Sequence, residues 1–67
     1  MEAIRSKRIE AGLPLAEVAR RSGVNAVTLS RIENGHVLPR DYTVGRIARA
    51  LGVSPAELFE TEEQVAP

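Results

Sequence analysis

Apolar residues recur at helical spacing along the chain, and each run stops at a glycine or a proline. Ile4, Arg8 and Ala11 share one face of a helix predicted from about Glu2 to Ala11, with Gly12 placed to end it. Leu15, Val18, Ala19 and Ser22 form the inward stripe of a second helix over about Leu15 to Ser22. Pro14 suits its start, because a fixed φ and a missing N–H cost little at a first helical turn. Gly23 supplies a left-handed turn residue, Val24 tucks beneath the corner, and Asn25 is placed to cap a third helix that Gly35 ends. At roughly 100° per residue, Asn25, Thr28, Leu29 and Ile32 fall on one side of that helix. Val27, Ser30, Arg31 and Asn34 fall on the other, with Ala26 beside them near the first turn.

The chain then loops to Pro39, which disfavours helix for Leu38. A fourth helix follows, with Asp41 as its expected cap and Val44, Ile47, Ala48 and Leu51 as its apolar stripe. Gly45 inside it costs about 1 kcal/mol against alanine, which implies either a close helix contact or a tolerated weakness. Gly52 ends that helix, and Ser54-Pro55-Ala56-Glu57 is a capping box that opens a fifth, short helix carrying Leu58 and Phe59. From Glu60 the sequence is acidic and carries no pattern. The expected organisation is an all-α, five-helix domain over residues 1–60 with an acidic, flexible tail over 61–67.

One residue breaks the apolar pattern. Arg8 lies on the inward face of the first helix, and an inward arginine needs a carboxylate, since an unpaired buried charge is very costly. Glu33, near the end of the third helix, is the candidate partner; the alternative is that Arg8 is a solvated surface charge.

Composition narrows the function. Sixty-seven residues make one small domain with little stability in reserve. The absence of cysteine excludes disulfides, thiolate metal sites and cysteine nucleophiles, and the single His36 excludes a histidine-rich metal cluster. No apolar run approaches the ~20 residues of a membrane span, and the charged start, with Glu2, Arg5, Lys7 and Arg8, is unlike a secretory signal, so a soluble cytoplasmic chain is expected. Net charge is zero, yet up to Arg49 nine basic residues face five acidic ones, and after Arg49 four acidic residues have no basic counterpart. A basic body with an acidic end suits a polyanionic partner. Neither a nucleophile with a base nor a phosphate-cradling glycine loop is evident, so an enzyme is not expected.

Ala19, Gly23 and Leu29 stand at offsets of zero, four and ten, flanked by apolar Val18, Val24 and Ile32. This spacing puts a small residue where two helices cross, a glycine at the turn and an aliphatic residue where the second helix packs back, as a DNA-binding helix-turn-helix requires. The chain from Ile4 to Phe59 resembles the five-helix DNA-binding domain of lambdoid phage repressors, Cro proteins and the wider xenobiotic-response-element family of bacterial regulators. The segments Ile4-Arg5-Ser6-Lys7-Arg8-Ile9, Leu29-Ser30-Arg31-Ile32-Glu33-Asn34-Gly35 and Ala50-Leu51-Gly52-Val53-Ser54-Pro55-Ala56-Glu57-Leu58-Phe59 carry the resemblance. It implies an inward Arg8–Glu33 salt bridge and an Asn34 that approaches the DNA backbone. Two departures stand out. Pro14 and Leu15 replace the Ser or Thr and Gln that clamp a phosphate in the family, leaving only the backbone N–H groups at Leu15 for that contact. Ala26 and Val27 replace polar residues that read base edges.

With the third helix in a major groove, Arg31 is the candidate reader of guanine O6 and N7, a contact worth roughly 1–3 kcal/mol of discrimination. Ala26 and Val27 are then candidates for packing on thymine methyls; Asn25, Thr28 and Ser30 for phosphate or secondary base contacts; and Arg40 for phosphate or the minor groove. Lys7, Arg20 and Arg21 are candidate backbone neutralisers. The plainer alternatives are that Asn25 only caps, Thr28 borders the core, and the basic residues are solvated. By resemblance the chain is a homodimer, with Val53, Leu58, Phe59 and Leu38 as the candidate dimer surface, unless these residues simply close the core. The expected function is a transcriptional regulator, more specifically a repressor of double-stranded DNA targets, needing no cofactor or metal. The alternative is a protein-interaction module or antitoxin-type partner-binding protein with weak DNA binding.

Overall fold

The computed structural model describes residues 1–59, which form helices and connecting turns with no strand among them. The helices are α1 (Glu2–Glu10), α2 (Leu15–Ser22), α3 (Ala26–Glu33) and α4 (Asp41–Leu51), followed by a fifth helical segment, α5, over residues 55–59. The expected domain end at residue 60 and the tail over 61–67 lie outside the described residues.

Each helix turns one apolar stripe to a shared centre. Ile4 of α1, Val18 of α2, Leu29 and Ile32 of α3, Val44 and Ile47 of α4 and Leu58 of α5 are all fully buried. Burying an aliphatic side chain of this size contributes roughly 1.5–3 kcal/mol, so these residues supply most of the drive to fold. α4 packs on α2 and α1, while α3 packs on α2 and α1, which leaves the far side of α3 uncovered among the described residues.

The corner between α2 and α3 is set by three residues. Gly23 takes φ of +75°, a left-handed conformation that would strain a side chain, and its N–H donates to the Ala19 carbonyl at 2.9 Å. Ser22, though polar, is buried; its hydroxyl donates to the Ala19 carbonyl at 3.3 Å and accepts from the Val24 N–H at 3.2 Å. The corner is therefore hydrogen-bonded as well as packed by the buried Val24.

Several sequence expectations are corrected. α1 ends at Glu10, so Ala11 is an exposed cap residue, and the helix instead buries Ala3 and Ile4. Thr28 does not border the core: Asn25, Ala26, Val27 and Thr28 are all exposed, because the first turn of α3 projects beyond the core that Leu29 and Ile32 enter. Asp41 is the first residue of α4 rather than its cap, a place where its carboxylate still faces the positive end of the helix dipole. A Cβ added at Gly45 would meet nothing within 4 Å, so this glycine is a tolerated weakness and not a close contact. Leu58 has no exposed surface, being the α5 residue that closes the core, and it leaves the candidate dimer surface.

Candidate nucleic-acid interface

α3 is held firmly at both ends. At its start the Asn25 side-chain oxygen accepts from the Val27 N–H at 2.8 Å and the Thr28 N–H at 3.4 Å, satisfying two of the helix's free donors. At its finish the Asn34 amide donates to the Ser30 carbonyl at 2.9 Å, and the Met1 ammonium donates to the Ile32 carbonyl at 2.7 Å. A cation at the carbonyl end of a helix also meets its negative dipole end.

The strongest tie is between α1 and α3. Arg8 Nε donates to Glu33 Oε2 at 2.7 Å, Arg8 Nη2 to Glu33 Oε1 at 3.2 Å, and Arg8 Nη1 to the Leu13 carbonyl at 3.1 Å. The guanidinium is thus bound by a two-pronged carboxylate and a backbone oxygen, and the two side chains are only 16% and 6% exposed. This geometry fixes the rotation of α3 about its own axis. No buried polar side-chain atom among the described residues lacks a partner.

So fixed, α3 presents Ala26, Val27, Thr28 and Arg31 to solvent, with Ser30 half-buried and Asn34 exposed past the end. Val27 is 60% exposed. Arg31 forms no ion pair among the described residues, so its guanidinium is available to an outside acceptor. The side-chain oxygen of Asn25 is occupied by capping, which leaves its amide N–H groups as its outward donors. Arg40 is exposed immediately before α4.

Other candidates are placed differently. Leu15 packs its side chain against the core, so that side chain is not presented to a phosphate at the start of α2. Lys7 pairs with Glu57 at 3.5 Å and Glu10 at 3.8 Å, tying α1 to α5. Glu57 also accepts from the Ser54 N–H at 3.0 Å, and this backbone hydrogen bond, helped by Lys7, holds its carboxyl below the usual range. Arg20 and Arg21 both donate to Glu17, at 2.6 and 2.7 Å, and these hydrogen bonds lower the Glu17 carboxyl from 4.5 to about 2.

Among the candidate dimer residues, Leu38 is 82% exposed at the tip of the α3–α4 loop, while Val53 and Phe59 are half-buried against the core. Sequence reasoning passed over Val37 and Tyr42, which are also exposed. Tyr42 was legible as a large residue off the stripe that Val44, Ile47 and Ala48 define. With Gly45, Arg46 and Arg49 it lines a shallow hollow of about 300 Å³ on the solvent face of α4.

The family model described as helix-turn-helix, HTH_3, matches residues 4–58, which spans all five helical segments. The chain belongs to this helix-turn-helix family. The family is one of DNA-binding regulators rather than enzymes. A relative in Bacillus phage phi105, the ImmF control region 10 kDa protein, is 40% identical over 62 residues, covering 92% of this chain and 69% of the phage protein. The crystal structure of an HTH_3 family transcriptional regulator from Vibrio cholerae superposes with a TM-score of 0.83 at 30% identity. That match covers 94% of this chain but only 35% of the Vibrio protein, so the chain spans about a third of it. Within the family frame α2 and α3 are the helix-turn-helix pair and α3 is the recognition helix. No helix among the described residues is long and apolar enough to cross a membrane.

Proposed function

We propose that the protein is a sequence-specific regulator of transcription, a repressor, that binds duplex DNA as a homodimer in the cytoplasm with α3 in the major groove. The observation that carries this reading is the outward face of α3: an exposed Arg31, in no ion pair among the described residues, beside Ala26 and Val27 on a short helix whose ends and rotation are fixed. A reading helix must be rigid, because a hydrogen bond to a base edge discriminates only if its direction is set in advance. Arg31 then donates to guanine O6 and N7. Thr28, Ser30, Asn34 and the Asn25 amide contact phosphates or neighbouring base edges, Arg40 contacts the backbone beyond α3, and the N–H groups at Leu15 face a phosphate. Lys7, engaged with Glu57 and Glu10, has at most a minor part.

A twofold dimer suits the small surface that one eight-residue helix can bury. Leu38 is its centre, with Val53 and Phe59 contributing the parts the core leaves uncovered. Because Leu38 and Val27 are exposed and apolar, a protein-binding module is the competing reading.

Selection from random duplex DNA, followed by anisotropy titration of the winning site at two salt concentrations, separates the two. The proposal expects an inverted repeat, affinity that falls steeply with salt as phosphate counterions are released, and loss of guanine preference in Arg31→Ala at a cost of about 1–3 kcal/mol. The absence of any enriched site, or binding that ignores both salt and sequence, would reject it in favour of a protein partner.

A further inference from the structure

The tip of α3 is chemically odd for a base-reading helix. Its exposed first turn offers Ala26 and Val27, neither of which can donate or accept a hydrogen bond from its side chain, and the Asn25 oxygen beside them is occupied by the Val27 and Thr28 N–H groups. Outward, this tip therefore sets the methyl groups of Ala26 and Val27 between two polar groups, the Asn25 amide N–H₂ and the Thr28 hydroxyl. On a duplex the one apolar group displayed in the major groove is the methyl at C5 of a pyrimidine. Building on the DNA-binding role proposed above, we infer that Val27, with Ala26 beside it, recognises the C5-methyl group itself and not the hydrogen-bonding pattern of the base that carries it, so that 5-methylcytosine substitutes for thymine there.

The reasoning turns on what an aliphatic reader is unable to sense. Thymine and 5-methylcytosine differ at C4, where one has an oxygen acceptor and the other an amino donor, and they pair with different purines. A polar reader would register every one of those differences. A valine 60% open to solvent, on a helix fixed by the Arg8–Glu33 clamp, registers mainly whether a methyl group fills the space in front of it. Removing one buried methyl group weakens association about three- to fourfold. In both halves of a twofold site the effect is on the order of tenfold, if the halves act independently.

The experiment uses the full chain and the duplex recovered by selection. Each thymine is replaced in turn by uracil, which keeps the pairing and lacks only the methyl group. At positions where this weakens binding, the base pair is then changed to cytosine·guanine and to 5-methylcytosine·guanine, and all duplexes are titrated against wild type and Val27→Ala. The inference expects thymine and 5-methylcytosine to bind alike, uracil and cytosine to bind alike and about three- to fourfold more weakly, and the gap to close in Val27→Ala. The exposed position of Val27 and the better helix propensity of alanine favour retention of the fold in that variant, which circular dichroism checks. Equal binding of thymine and uracil duplexes by wild type overturns the inference without any variant, as does an unchanged gap in Val27→Ala. Failure to recover a duplex at all removes the DNA-binding role itself, a different and distinguishable result.

Discussion

Replacing Glu33 with glutamine tests the link between α1 and the recognition helix. Glu33 accepts two charge-assisted hydrogen bonds from Arg8, at 2.7 and 3.2 Å, from a side chain that is itself only 16% exposed. Glutamine keeps one acceptor but points an amide N–H₂ at the second guanidinium N–H, and it leaves the arginine charge without a counter-charge. A hydrogen bond to a charged group contributes about 1.5–3 kcal/mol, and breaking a buried pair from one side costs about 3–5 kcal/mol. Since Arg8 retains the Leu13 carbonyl and some solvent, the expected loss is at the lower edge, about 3 kcal/mol. For a domain of this length total stability is roughly 3–10 kcal/mol, so the variant is expected to lose a large share of it and to melt about 12–24 °C lower. Urea unfolding followed by circular dichroism at a fixed temperature measures the loss directly. The stranded-charge argument makes a second demand: the double replacement of Arg8 with methionine and Glu33 with leucine should recover to within about 1–2 kcal/mol of wild type, because no charge remains buried. A single-variant loss below about 0.5 kcal/mol would mean the pair acts like a surface salt bridge, and the reasoning would fail.

Three further outcomes are expected. Gly45→Ala should stabilise the domain by about 0.5–1 kcal/mol in the same urea assay, since the added methyl group enters open space within α4, and a destabilised variant would contradict that geometry. Asn25→Ala should cost about 1 kcal/mol by removing the cap from α3, whereas Asn25→Asp should be close to neutral; equal losses in both would point to a role other than capping. Glu17, with a carboxyl lowered from 4.5 to about 2 by Arg20 and Arg21, should titrate near pH 2 by NMR. Because the folded value is the lower one, whatever stability Glu17 provides is present above pH 4.5 and lost as pH falls toward 2, and Glu17→Gln should flatten that part of the stability curve; a titration midpoint near 4.5 would show that the arginines do not hold it.

The relation between sequence and structure differs from element to element. α2 was legible to the residue, Leu15–Ser22, because Pro14 and Gly23 mark its ends by backbone chemistry alone. The pairing of Arg8 with Glu33 was legible for a different reason: an arginine on an inward face demands a carboxylate, and few were placed to supply one. The start of α4 was off by one residue, since Asp41 is as favourable in a first turn as at a cap.

Sequence by itself determined the helical class, the helix-turn-helix spacing and the central core residues Ile4, Val18, Leu29, Ile32, Val44 and Ile47, because these follow from periodicity and from the conformations glycine and proline permit. Only the tertiary structure decided which outward residues remain available. Leu58 and Phe59 look alike in the sequence, yet one is fully buried and the other only partly, a difference set by which of the two faces the core in the folded chain. Lys7, Arg20, Arg21 and Arg31 are all basic residues at exposed-looking helical positions; Glu17 meets Arg20 and Arg21 at local i,i+3 and i,i+4 spacing within α2, whereas the contact of Lys7 with Glu57 depends on α5 folding back on α1. Three of them are engaged by Glu57, Glu10 or Glu17, and Arg31 remains free of ion pairs among the described residues. The exposure of Asn25 and Thr28, which helical spacing assigned to the inward side of α3, was likewise a matter of tertiary packing, whereas Val27 and Arg31 lie on the outward face that spacing already gave them.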